Sequence, residues 1–166
     1  MAHPVRLRML SLLTGAPLTA ADVARELGLT HANASYHLRN LLSAGLIVQT
    51  GEERIRGGVA KRYRYDAERD RERERETMVG PHHADTQRAL FEAVANELVR
   101  RTAEADWSVG GSMTDAELWV DPQVFREIRD RIAQASRDLH DAAKPPRTPG
   151  TIRTSATIAM FRMEEP

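Results

Sequence analysis

Between Thr30 and Arg39 the chain reads Thr-His-Ala-Asn-Ala-Ser-Tyr-His-Leu-Arg, which gathers hydroxyl, imidazole, amide, phenol and guanidinium groups into ten residues. If a helix runs over 30–44 with Ala34, Leu38, Leu41 and Leu42 turned inward, then His31, Asn33, Tyr36, Arg39 and Asn40 are left on its outer face. Such groups both donate and accept hydrogen bonds. They suit the base edges of a DNA major groove, which the first residues of a recognition helix reach. A merely solvated helix face would carry similar residues, so the neighbouring elements have to decide between the two.

The stretch 18–46 supplies the frame. It reads as two short helices joined at Gly28-Leu29, each opened by a threonine (Thr19, Thr30) whose hydroxyl can accept from free N–H groups of the first turn. Val23, Ala24 and Leu27 give the earlier helix a narrow apolar face, and Gly28 supplies the left-handed residue that ends it. Ahead of this pair, Pro4 starts a helix with Val5, Met9, Leu12 and Leu13 on one stripe, closed by Gly15-Ala16-Pro17. Behind it, 47–49 begins a strand and 52–65 reads as a hairpin turning at Gly57-Gly58, with Tyr63 and Tyr65 alternating against Arg62 and Arg64. Arg54, Arg56, Lys61, Arg62 and Arg64 make that hairpin basic, with Arg56 at its tip. Such a hairpin can follow phosphates and place a guanidinium in a narrow minor groove. The order helix, helix-turn-helix, basic hairpin is that of a winged helix-turn-helix.

Charge supports this division of labour. The 166 residues carry 24 Lys+Arg and 24 Asp+Glu, a formal net charge of zero. Residues 1–66 nevertheless hold nine basic against five acidic residues, a net +4, and the remainder a net −4. A basic first half joined to an acidic second half suits a polyanion-binding module attached to one that leaves the polyanion alone. The absence of cysteine excludes disulfides, thiolate metal sites and thiol redox sensing. With no apolar run of membrane-spanning length and no signal-peptide pattern after Met1, a soluble cytoplasmic protein without membrane partners is expected.

The first 65 residues resemble the bacterial ArsR-type repressors. The matching features are His3-Pro4-Val5-Arg6-Leu7-Arg8, Val23-Ala24-Arg25-Glu26-Leu27-Gly28-Leu29, Ser35-Tyr36-His37-Leu38-Arg39-Asn40-Leu41, Ala44-Gly45-Leu46-Ile47 and the Arg-Gly-Gly wing. The resemblance implies a homodimer on double-stranded operator DNA of approximate two-fold symmetry, with one recognition helix in each major groove. It places Thr30, His31, Asn33, Ser35, Tyr36 and Arg39 at DNA-facing positions and gives His37 to the fold or to a phosphate contact. Arg54, Arg56, Lys61 and Arg62 are the wing residues expected on backbone or minor groove. This chain departs from the family at Ala32 and Ala34, where the pattern often has a hydroxyl and a larger aliphatic. The cysteine pair of the family's metal sensors is absent. So is the leading helix many relatives use for pairing, which shifts dimerisation to the second half.

Residues 66–76 alternate in sign with a period of two, and 67–81 read as a charged linker between a 1–66 DNA-binding domain and an 82–166 domain for dimerisation and possible effector binding. In the second domain a helix over 85–105 carries Leu90, Phe91, Val94, Leu98 and Val99 on one stripe, a stripe suited to a symmetry mate. A strand is expected over 116–120. Asp121-Pro122 then starts a helix to about residue 143, lined by Val124, Phe125, Ile128, Ile132, Ala135 and Leu139. A stiff Pro-rich loop leads into a final strand over 151–163. The expected class is therefore α+β: a winged helix-turn-helix domain followed by a small α-β-α-β domain.

Phe91, Trp107, Trp119, Phe125 and Met160 are the candidates for an effector pocket, although such residues usually form plain core. His82, His83 and Asp85 could ligate a metal across a dimer. Adjacent histidines at a helix start are ordinarily solvated and the spacing fits no metal motif, so no metal or other cofactor is expected and small-molecule sensing is favoured over metal sensing. No nucleophile elbow, phosphate-binding glycine loop or paired catalytic carboxylates occur, and no enzymatic activity is expected. The competing reading is a winged helix that binds a protein, or nucleic acid without regard to sequence.

Overall fold

The computed structural model describes residues 4–55, 57–66, 69 and 83–164. Helix α1 (Pro4–Gly15) begins on the expected proline and buries Met9 and Leu13 completely. A two-residue strand β1 (Leu18–Thr19) leads directly into α2 (Ala20–Leu27). Thr19 closes a reciprocal capping box: its Oγ1 accepts from the Asp22 N–H at 3.2 Å, while Asp22 Oδ2 accepts from the Thr19 N–H at 3.0 Å. Gly28 ends α2 at φ 66°, a conformation any side chain would strain.

Helix α3 (His31–Ser43) follows with Thr30 Oγ1 accepting from the Asn33 N–H at 3.2 Å. Strands β2 (Ile47–Ile55) and β3 (Gly58–Tyr65) form the hairpin, and β1 adds to its other edge in an antiparallel sheet ordered β1-β3-β2. Leu18 faces Tyr63 across one ladder and Ile47 faces Tyr65 across the other, with a bulge between Gln49 and Gly51. The sequence reading missed β1, because two residues are too short for an alternating pattern. One core unites these elements: Met9, Leu13, Val23, Ala34, Leu38, Leu41, Ile47 and Tyr63, with Leu10, Leu12, Leu27 and Leu42 against its rim. Each fully buried aliphatic here contributes about 1.5–3 kcal/mol.

The second half contains α4 (His83–Thr102), a single 3-10 turn (Trp107–Val109) and α5 (Pro122–Asp141). Asp121 caps α5 by accepting from the N–H groups of Gln123 and Val124 at 2.7 and 3.2 Å, as the Asp-Pro pair predicted. The expected strands are a different matter. Neither 116–120 nor 151–163 forms a strand, so the α-β-α-β arrangement does not occur in this chain, which has two helices there and extended connections. A strand exists only beside a hydrogen-bonded neighbour, and no sheet edge of this chain lies next to either stretch. The apolar stripes behave consistently with this: Leu90, Phe91, Leu98 and Val99 on α4, and Val124, Ile128 and Leu139 on α5, remain exposed. The charged linker, apart from Arg69, lies outside the described residues.

Polar contacts tie the second half to the first. Both α4 and α5 pack on α1. Glu97, only 8% exposed, accepts a bidentate pair of bonds from Arg100 at 2.7 and 2.8 Å and another from Arg101 at 3.1 Å. Its carboxyl is held below the ordinary range, chiefly by the Arg100 bonds, against the opposing effect of burial. Arg101 reaches on to Ser11 of α1 and to Ser155 of the C-terminal stretch, each at 3.3 Å. After α5, Arg147 pairs with Glu26 of α2 at 3.1 Å from a left-handed backbone at φ 65°.

Candidate nucleic-acid interface

Helix α3 presents two chemically distinct faces. Ala34, His37, Leu38 and Leu41 are buried against α1, α2 and β2, which leaves Thr30, His31, Asn33, Tyr36 and Arg39 exposed and Ser35 half-buried. Five of the six expected contact residues on this helix therefore line one outer surface. Thr30 also serves as the helix cap, so its oxygen is already engaged while its O–H remains able to donate. His37 belongs to the fold: it is buried, and its ring meets Tyr36 edge-on at 5.3 Å.

The elements behind α3 fix its orientation. In α2, burial raises the Asp22 carboxyl, but the Thr19 hydroxyl and amide together with Arg25 outweigh it and lower the pKa. The capping box is thus anionic at neutral pH and favourably placed at the positive end of the α2 dipole. Arg25 Nη2 binds Asp22 Oδ1 at 2.7 Å, which keeps that charge local.

The hairpin places its cations on two faces. Arg54 lies opposite Val59 and Lys61 opposite Glu52, on the face that Tyr63 turns to the core, and both cations are exposed beyond the core's edge. Arg64 is exposed on the other face, a basic residue outside the expected contact set. Arg62 has another role. It binds Glu53 Oε2 at 2.6 Å and donates to the Pro17 carbonyl at 3.2 Å, which joins the hairpin to the turn between α1 and β1. Partners nine and 45 residues away leave no local sequence signal for this clamp. Arg56, expected at the tip, lies outside the described residues.

Residues expected to bind an effector are spread over the second half. Phe91 on α4 packs on Phe161 with ring centres 5.6 Å apart, and Phe125 is half-buried on α5. Trp107 and Trp119 are 67% and 84% exposed, so these residues enclose no ligand within one chain. Of the metal candidates, His82 lies outside the described residues, His83 opens α4 and Asp85 is exposed in its first turn.

A capped helix pair thus turns at a glycine, its second helix offers a polar face, and a three-stranded sheet completes the unit. Residues 1–50 match the family model described as a helix-turn-helix domain. This helix-turn-helix is completed by the β2–β3 wing, which extends past the matched stretch. No curated protein matches the chain. Among solved structures, the adhesin competence repressor AdcR from Streptococcus pyogenes is 13% identical, over 82% of this chain and 79% of its own, with a TM-score of 0.33. A mutant of ZitR from Lactococcus lactis in its apo form is 12% identical, over 83% of each chain, with a TM-score of 0.34. At such scores neither likeness bears on the fold or function of this chain. No helix among the described residues is long and apolar enough to cross a membrane.

Proposed function

We propose that this chain is a sequence-specific DNA-binding transcriptional regulator of the ArsR type, acting in the cytoplasm as a homodimeric repressor. The outer face of α3 carries the reading: Asn33 and Arg39, flanked by His31 and Tyr36, are exposed on the second helix of a helix-turn-helix and are the groups that pair with adenine and guanine edges. Arg54, Lys61 and Arg64 on the wing supply phosphate contacts, and Arg62 keeps the wing in place. Residues 1–66 are the DNA-binding domain and 82–166 the pairing domain, joined through 67–81. A ligand pocket built from Phe91, Trp107, Trp119, Phe125 and Met160 requires the surface of a second chain, because the single chain leaves both tryptophans in solvent.

Gel shift of the protein on its own promoter region, against excess random duplex at stated salt, tests this reading. Binding to the promoter at least about 1,000-fold tighter than to random DNA is expected. Equal affinity for both would replace the regulator with a sequence-blind nucleic-acid binder, and no binding to either would leave a protein-interaction module.

A further inference from the structure

The stretches 113–121 and 151–163 are not loops in the ordinary sense. Neither 113–120 nor 152–163 makes a backbone hydrogen bond to any described residue, yet loops in folded proteins are seldom so apolar. The second stretch runs back along α4. Arg153 meets Glu104 at 2.8 Å, Ser155 meets Arg101, and Phe161 packs on Phe91. Arg101 to Phe91 runs back along α4 while Ser155 to Phe161 runs forward, so the stretch lies antiparallel to the helix. These contacts leave the stretch uncovered, with Ile152, Ile158, Met160, Phe161 and Met163 all exposed.

An exposed stretch rich in strand-forming and apolar residues, with no backbone hydrogen bond to a described residue, has the makings of a strand that lacks its neighbour. The first stretch has the matching properties. Leu118, Trp119 and Val120 are exposed, and it carries Asp115, Glu117 and Asp121 with no base, while 151–163 carries Arg153 and Arg162 with no acid. Each stretch thus opposes pairing with a copy of itself and favours pairing with the other.

The apolar surface indicates where that other stretch comes from. Leu90, Phe91, Leu98 and Val99 on α4 and Val124, Ile128 and Leu139 on α5 are exposed as well, so the uncovered apolar surface continues from the two stretches onto both helices. A self-complementary surface of that extent suits an isologous contact with a second copy. The two stretches are not paired with each other within the chain, and every further copy carries the complementary one, so a second copy can supply it.

We propose that two copies exchange arms: residues 113–121 of each pair as a β-strand with residues 151–163 of the other, forming two symmetry-related ladders over the paired α4 helices. This rests on the homodimer reading and specifies how the dimer is built. With no native cysteine, Glu117→Cys in one copy and Thr157→Cys in a copy carrying a larger tag can be mixed and treated with a short bismaleimide. Cross-linked species holding one chain of each kind are expected, as is exchange of the 116–120 and 152–162 amides at least about 100-fold slower than in an unstructured peptide. Sedimentation at micromolar concentration separates the failures. A monomer would overturn the dimer and the exchange together. A dimer that gives only same-kind cross-links, or whose arm amides exchange freely, would overturn the exchange alone. Intrachain cross-linking of a Glu117→Cys, Thr157→Cys double variant, with arm protection that survives dilution to monomer, would show that each chain pairs its own arms.

Discussion

Leu38 and Arg39 are neighbours in sequence on opposite faces of α3, and truncating each separates folding from reading. Leu38 is 1% exposed and shares the core with Met9, Leu13, Leu41 and Ile47. Leu38→Ala therefore costs about 2–5 kcal/mol of stability, through lost burial and the cavity left behind. Arg39 is exposed, so Arg39→Ala changes stability by less than about 0.5 kcal/mol. A guanidinium forked onto a guanine is worth about 1–3 kcal/mol per site. With one helix on each half of a two-fold operator, the dimer of the proposed reading loses about 2–6 kcal/mol, a weakening of roughly 30-fold to 20,000-fold. The assays are urea unfolding for stability and fluorescence anisotropy for operator and random duplex over a salt series. Arg39→Ala should weaken operator binding far more than random binding, and Arg39→Lys should fail to restore it, because lysine keeps the charge and loses the planar fork. If Arg39→Ala weakened both duplexes equally and reduced the salt slope by about two per dimer, Arg39 would be a phosphate contact. If neither duplex responded, the α3 face would not be on the DNA at all.

Three further outcomes are expected. Thr19→Ala removes the cap of α2 and should cost about 1 kcal/mol in urea unfolding, with Asp22→Ala no worse than additive on top of it, since both act on one cap. Arg62→Ala should lower operator affinity through a looser wing while leaving major-groove base preference unchanged; an altered preference in operator-variant titrations would contradict its role as a clamp. Glu97 has a depressed folded-state pKa, so the unfolded chain binds its proton first as pH falls. Its contribution is complete above the ordinary carboxylate range and disappears as pH drops through the lower folded value. The tryptophans, both in this half, should report acid loosening of α4 that Glu97→Gln flattens; an unchanged acid transition in Glu97→Gln would remove Glu97 as its source.

The first half was readable because its information is local. A threonine three residues ahead of the N–H it accepts from, a glycine at a helix end and leucines at helical spacing each act within one turn, and the structure places them as the pattern predicts. Arg62 shows where that ends. It looks like one more wing cation, but its partners Glu53 and Pro17 are brought together only by the closed sheet. Residue Thr19 carried two roles, cap and strand, of which the sequence displays one. For the α3 face, side-chain chemistry and helix period together were sufficient.

The second half was read correctly at the level of pattern and wrongly at the level of the chain. The residue types over 116–120 and 151–163 state a strand preference, and preference is a property of side chains, whereas a ladder belongs to two backbones. Among the described residues no strand pairs with either stretch, and the preference goes unspent. The helices tell the same story from the other side: α4 and α5 meet the helix-turn-helix through α1, Ser11 and Glu26, and turn their apolar stripes away from it. A half anchored by polar contacts at α1 and α2, with its apolar surface facing outward, suits the proposed pairing, which would hold two α3 helices at a fixed separation. In a symmetric pair that separation must match successive major grooves on one side of the duplex, about 34–36 Å apart or a multiple of it. The arms and the recognition helix are thus constrained by one geometry, and an operator whose half-sites are respaced by half a helical turn should lose binding even with every base contact residue intact.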